Sequence, residues 1–207
     1  MHMATSLPFV HLNLRHNPFG ELDTIERVAL ALADVDDVVA RLHRPGFAVQ
    51  FVDEKGRGKT THLLALRRSL QHAPYVHVAE GERPTVPRRR PLLLDEAQRL
   101  PPTVRRRIFA KRGSIAIGTH EDLTLELVRA GFEVRTLRPS HHLSVNRLHQ
   151  IFALRIEWAR RGEGRLPTIG IREVRELMER FGSDVRSMEA QLYESFQTML
   201  RIDHGAL

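Results

Sequence analysis

The sequence predicts an α/β fold, in which a mostly parallel sheet of five strands is flanked by helices and followed by a small C-terminal bundle of three helices. Three observations predict it. Five short apolar runs recur through the first two thirds of the chain, helical spacings lie between them, and after Pro139 only helical spacing remains.

The first run, "GFAVQFV" (46–52), leads into the glycine-rich stretch "DEKGRGKT" (53–60). The segment "KTTHLLALRRSLQH" then carries Leu63, Leu64, Leu66 and Leu70 at helical spacing, which makes strand, loop, helix. Four further runs follow: "YVHVA" (75–79), "PLLLDEA" (91–97), "SIAIGT" (114–119) and "FEVRTL" (132–137), with helices expected over 102–112 and 121–130. Between the second and third runs, "EGERPTVPRRRP" (80–91) holds three prolines and a glycine, which forbid a regular helix. The expected crossover there is a basic loop. Helices are expected over 144–161, 171–181 and 184–200, the first two separated by "RGEGRLPTIG". The chain thus divides into an α/β domain over 1–138 and a helical lid over 139–207, with Trp158, Phe152 and Ile156 expected in the bundle core.

Composition bounds the chemistry. With 207 residues and 42% hydrophobic content, the chain is long enough to bury one good core and a small satellite. The absence of cysteine excludes disulfides, zinc–thiolate sites and thiol catalysis. No run approaches about 18 consecutive apolar residues, and the first residues lack an apolar signal segment, so a soluble cytoplasmic chain is expected. The net charge is +7, and of the 32 Lys and Arg residues only Lys55, Lys59 and Lys111 are lysines. Such a charge attracts polyanions, and it equally suits an arginine-rich surface offset by 25 acidic residues. Neither the His11/His16 nor the His141-His142 pair has a partner at a repeating metal-ligand spacing, so capping and surface roles are expected of them.

The glycine stretch fits the phosphate-loop pattern G-x-x-x-x-G-K-[ST] at every position except the first, where Asp53 stands for glycine. In that pattern backbone N–H groups and a helix N-terminus converge on phosphate, the lysine reaches the β/γ-phosphates and the hydroxyl holds Mg²⁺. Lys55, Gly56, Arg57, Gly58, Lys59, Thr60 and Thr61 are therefore the expected nucleotide-binding residues. The Asp53 carboxylate either repels phosphate or caps the turn. One helix and one strand later, Asp95 and Glu96 end an apolar strand. That placement suits a first acid that supports Mg²⁺, usually through water, and a second that polarises the attacking water. Thr119 ends the next strand, beside the expected γ-phosphate position, and Arg186 opens the last helix, where a cation could reach the nucleotide.

With these four motifs in this order, residues 15–200 resemble the AAA+ ATPases: Walker A at 53–60, Walker B at 92–96, sensor 1 at Thr119 and sensor 2 ending in Arg186. "HNPFG" (16–20) and "GTHEDL" (118–123) are similar to elements of the bacterial transposition and secretion ATPases of the TniB, TnsC and ExeA type. The resemblance implies Asn17, Pro18 and Phe19 near the adenine, against the simpler alternative of a turn followed by a core aromatic. It implies ATP and Mg²⁺ as cofactors, a homo-oligomeric ring or filament, and an arginine supplied in trans to the neighbouring site. Arg129 is the best placed for that role, with Arg105, Arg106, Arg107, Arg112 and Arg135 competing. Arg88, Arg89 and Arg90 are candidates for duplex DNA, as loops in this part of such proteins sometimes are, or else form a solvated run. The expected function is an ATP hydrolase that assembles through nucleotide and acts on DNA or a protein partner, for example as a transposition regulator. The alternatives are a non-hydrolysing nucleotide-dependent interaction module, a secretion-associated ATPase and, less well matched, a small-molecule phosphate-loop kinase.

Overall fold

The computed structural model describes residues 9–111 and 113–204, so the competing candidate Arg112 lies outside the described residues. Two compact units emerge, Thr24–His142 and a second that joins residues 9–23 to 143–204.

The first unit is built on five strands: β1 (Phe47–Val52), β2 (Tyr75–His77), β3 (Leu92–Asp95), β4 (Ile115–Thr119) and β5 (Glu133–Leu137). All pairings are parallel, and the order across the sheet is β2-β3-β4-β1-β5. A parallel sheet needs both faces covered, which is why β1, β3 and β4 are buried along their whole length and are mostly apolar. On one face, Phe47, Val49, Phe51, Leu93 and Ala116 pack with residues of α2 (Asp36–Leu42) and α3 (Lys59–Ser69). On the other, Ala48, Leu92, Leu94, Ile115 and Ile117 pack with α4 (Pro102–Phe109) and α5 (Thr124–Arg129). The two-residue repeat of a strand deals alternate side chains to the two layers.

A short helix α1 (Thr24–Ala29) and α2 precede the sheet, and neither is anticipated from the sequence. Between β2 and β3 residues 78–91 hold no helix, as the prolines require. Gln50 is the one polar side chain inside β1 and is fully buried. Its amide nitrogen meets Asp122 at 2.8 Å and Thr124 and Thr136 at 2.7 Å, while its oxygen accepts from the Leu123 N–H at 2.9 Å. The loop after β4 is thereby tied to the strand that precedes the glycine loop.

The second unit contains α6 (Val145–Trp158), α7 (Ile171–Phe181) and α8 (Val185–His204). Its core takes Leu148, Phe152 and Ile156 from α6, Val174 from α7, and Met188, Leu192 and Phe196 from α8. Phe9, Leu14 and Phe19 join the same core, so residues 9–23 pack with the helices rather than with the domain spanning 1–138. Trp158 departs from expectation: it is 37% exposed. At two residues past Ile156 it points roughly 200° around the helix from the buried stripe. No helix among the described residues is long and apolar enough to cross a membrane.

Candidate functional site

The carboxyl ends of β1, β3 and β4 come together at one edge of the sheet, and each delivers part of the motif set. In open parallel sheets this is the edge at which ligands bind. β1 runs into the glycine loop, whose two turns depend on Gly56 (φ 81°) and Gly58 (φ 88°) in the left-handed region. Lys59 and Thr60 then open α3. Lys59 is only 4% exposed, and its ammonium donates to the Asp53 and Glu54 carbonyls at 2.8 and 2.7 Å. It is folded over the loop's own backbone, poised across the cradle. Arg57 pairs with Glu54 at 3.2 Å, Lys55 is exposed and Thr61 half-buried on the first turn of α3.

Asp53 caps the turn. Its Oδ1 accepts the Glu54 N–H at 3.0 Å and its Oδ2 accepts the Ser140 N–H at 2.8 Å, while its own N–H donates to the Thr119 carbonyl at 3.2 Å. A carboxylate that accepts two backbone N–H groups fastens the start of the loop to the segment after β5. Pro139 of that segment lies 3.7 Å from where a Cβ on Gly58 would sit.

Across β4, Asp95 ends β3 with its carboxylate wholly buried. The Thr60 hydroxyl donates to its Oδ2 at 2.8 Å and the Tyr75 hydroxyl to the same oxygen at 3.0 Å, with His77 Nδ1 at 3.3 Å. Burial, followed by the charge and hydrogen bond of Asp95, pushes the Tyr75 phenol well above its ordinary range. Oδ1 accepts the Glu96 N–H at 3.1 Å. Gly118 on β4 makes room, because a Cβ there would stand 2.6 Å from Oδ1. A hydroxyl and a buried carboxylate on facing elements are hard oxygen donors, the set that suits Mg²⁺ shared with substrate phosphates. No cluster of three His, Cys, Asp or Glu able to hold a metal ion occurs among the described residues.

Glu96 sits at φ 58°, one of two non-glycine residues with positive φ among the described residues. A side chain there carries strain of order 1 kcal/mol, which structures retain where geometry matters. Its Oε2 is gripped from three sides: Gln98 Nε2 at 2.8 Å, Arg99 Nη2 at 3.3 Å and His120 Nε2 at 3.4 Å. Arg99 is itself anchored by donating to the Val78 carbonyl at 2.9 Å. Thr119, buried at the end of β4, donates its hydroxyl to the Glu121 carbonyl at 2.9 Å and accepts the Glu121 N–H at 3.0 Å. Both side chains stand at the sheet edge, Thr119 engaged with Glu121 and Glu96 with Gln98, Arg99 and His120.

The remaining candidates separate. Arg129 is exposed on the last turn of α5, beside exposed Leu125 and Val128. Arg105 is not available to a neighbour: its buried guanidinium holds Glu126 at 2.6 and 3.0 Å and donates to the Leu100 carbonyl at 2.8 Å. That pairing raises the Arg105 pKa and lowers that of Glu126. Arg135 pairs with Asp37, and Arg106 and Arg107 are exposed on α4. Arg88 and Arg89 are exposed, whereas Arg90 leaves the basic trio. Its guanidinium donates to the carbonyls of Pro87, Arg89 and Ile108 at 3.3, 3.2 and 3.1 Å, and its side chain crosses Gly113, where a Cβ would clash at 2.3 Å. Burial lowers its pKa.

Two groups of candidates lie in the helical unit. Arg186 is exposed on the first turn of α8, after Asp184, whose carboxylate receives the Ser187 N–H at 3.2 Å. Asn17 and Phe19 are buried. Asn17 accepts the Phe19 N–H at 3.0 Å and donates to the Tyr193 carbonyl at 3.0 Å. Phe19 packs edge-on against Phe152 and Phe196 at 5.8 and 5.4 Å. Arg155 clamps the element by donating to the Pro18 and Gly20 carbonyls at 2.7 and 2.8 Å, so the turn with a core aromatic is what these residues form.

Sequence reasoning missed Tyr75, His77, Gln98, Arg99, His120 and Ser140. Only the alternation of Tyr75 and His77 on a strand beside the acidic strand offered a signal. No protein-family model matches this chain, and none of the curated proteins matches it at a significant level.

Proposed function

We propose that the α/β unit binds ATP with Mg²⁺ and hydrolyses it, in the manner of the AAA+ ATPases that its motifs resemble. One observation carries this reading: the Thr60 hydroxyl and the Asp95 carboxylate, 35 residues apart, meet at 2.8 Å at the sheet edge, next to a buried Lys59 whose ammonium lies over the glycine loop. Lys59 and the loop N–H groups bind the phosphates, and Thr60 and Asp95 hold the metal. Mg²⁺, when bound, neutralises charge on the phosphate oxygens. Glu96 orients and polarises the attacking water once its carboxylate leaves Arg99 and His120, and Thr119 contacts the γ-phosphate once its hydroxyl leaves the Glu121 carbonyl.

Arg129, with Leu125 and Val128 exposed beside it, supports a homo-oligomer in which this helix reaches a neighbour's site. Arg88 and Arg89 support duplex DNA as the partner, contacted through phosphate without reading sequence, and transposition control is the expected setting. A second reading is favoured by the engaged Thr119 hydroxyl and the gripped Glu96: a nucleotide-dependent interaction module that does not hydrolyse ATP.

ATP turnover and ATP-analogue binding, measured with and without duplex DNA, test the readings together. Binding lost in Lys59→Ala and turnover lost in Glu96→Gln are expected. Binding without turnover under any condition favours the module, and unchanged binding in Lys59→Ala overturns both. For the DNA arm, Arg88→Ala with Arg89→Ala should flatten the slope of log affinity against log salt by about 2, near one unit per lost phosphate contact. Absence of DNA binding at low salt with an ATP analogue moves the partner to protein.

A further inference from the structure

The Asp95 carboxylate gathers one partner more than a phosphate-loop site needs, and the surplus is a histidine. Its Oδ1 takes the Glu96 N–H and faces Gly118, where a Cβ would come within 2.6 Å. Its Oδ2 has two lone-pair sites. Two hydroxyls fill them, Thr60 at 2.8 Å and Tyr75 at 3.0 Å, and His77 Nδ1 stands third and farthest at 3.3 Å. A third donor adds little to that oxygen while both hydroxyls stay turned toward it. An imidazole lone pair beside a carboxylate oxygen that also holds the Thr60 hydroxyl, by contrast, forms part of a cation shell once that hydroxyl turns its proton away.

The sheet puts the ring there. β2 pairs with β3 in parallel register, with His77 opposite Asp95, and the two-residue repeat sets Tyr75 and His77 on the same face. The His77 side chain is 49% exposed against 0% for Asp95, so one partner is enclosed while the other is open to an ion arriving from solvent.

We infer that His77 Nδ1 is a nitrogen ligand of the divalent cation held by Thr60 and Asp95, and that this mixed set prefers Mn²⁺ to Mg²⁺. The inference rests on the nucleotide reading of the same site and names its metal. Mg²⁺ is a hard ion served by oxygen, and an oxygen-only pair of Thr60 and Asp95 would suit it. Imidazole nitrogen binds first-row transition ions better, and along the divalent series Mn²⁺ is the mildest of them. Tyr75 is a positioning residue, since its hydroxyl holds Oδ2 toward Thr60 and His77.

Pulsed electron paramagnetic resonance of Mn²⁺ with protein carrying ¹⁵N-labelled histidine tests this, using Mn²⁺ alone and Mn²⁺ with a non-hydrolysable ATP analogue. The expected result is a histidine ¹⁵N coupling in the wild type that disappears in both His77→Ala and His77→Gln, with thermal unfolding showing that each variant folds. Calorimetry of the analogue should give a Mn²⁺-over-Mg²⁺ preference that falls about tenfold in both variants. Absence of ¹⁵N coupling from both wild-type samples, or coupling that persists without His77, overturns the proposal. Coupling with Mn²⁺ alone and no analogue binding leaves the metal site standing and removes the nucleotide reading. Analogue binding that needs Lys59 but shows no histidine coupling does the reverse.

Discussion

The two halves of the candidate site are built to opposite rules. Around the glycine loop and Asp95, groups from separate elements already meet: Thr60 of α3 bonds Asp95 of β3, and Asp53 is fastened to Ser140 beyond β5. Around Glu96 and Thr119, most partners lie close by in the chain, with Glu96 on Gln98 and Arg99 and Thr119 on Glu121, and His120 alone reaches Glu96 from the end of another strand. A preassembled half lowers the cost of ordering when phosphate arrives. The other half would have to exchange partners before acting on water as proposed. On the proposed function binding would be pre-organised and turnover gated, and each of four substitutions bears on that contrast.

The largest effect is expected in the preassembled half. Lys59→Ala should weaken ATP-analogue affinity about 100-fold, roughly 2.7 kcal/mol, by titration calorimetry. A loss below tenfold would mean that the ammonium, though buried over the loop, does not reach phosphate.

Glu96→Gln comes next and separates the halves most cleanly. The amide keeps the shape and cannot polarise water, so turnover should fall by about 100-fold or more while analogue affinity stays within about twofold. If wild type hydrolyses ATP and the variant matches it, the water-activating role belongs elsewhere.

Arg99→Ala sharpens the idea of gating. Arg99 binds the Glu96 carboxylate and the Val78 carbonyl together, so its removal should raise kcat by about 3- to 10-fold with KM unchanged, on the scale of one charge-assisted hydrogen bond. A fall in kcat would show that Arg99 positions Glu96 instead of restraining it.

The smallest effect is expected at Asp53, where the loop departs from the phosphate-loop pattern. Both carboxylate oxygens accept backbone N–H groups, so Asp53→Gly should change analogue affinity by less than about tenfold, roughly 1.4 kcal/mol. Its main cost should be a lowered unfolding temperature, from the lost cap. Tightening well beyond tenfold would restore the view that this carboxylate repels phosphate.

Features that depend on neighbours in the chain are the ones legible before the fold is known. Each of the five strands lies within its apolar run, the glycine loop stands between β1 and α3, the crossover over 78–91 is free of helix, and three helices follow Pro139. Alternation, helical spacing and proline chemistry act over a few residues, so they are legible without the fold. The helices α1 and α2 escaped because segments of six and seven residues are too short to hold a helix by propensity, and packing decides them, α1 against α3 and α2 against β1.

Only the tertiary structure decided which partners the chemical groups take. Tyr75 and His77 meet Asp95 because β2 and β3 pair in one register, and Gly118 is needed because β4 passes beside that carboxylate. Arg90 and Arg105 look like their neighbours in the runs at 88–90 and 105–107, yet they spend their guanidinium groups on buried carbonyls and a carboxylate, while Arg88 and Arg106 stay exposed. Phe19 went to the helical core because Phe152, Phe196 and Arg155, more than 130 residues away, close around it. Side-chain pairing is non-local: a charge or ring finds its lowest free energy among groups the fold brings within a few ångströms, and linear spacing carries no record of them.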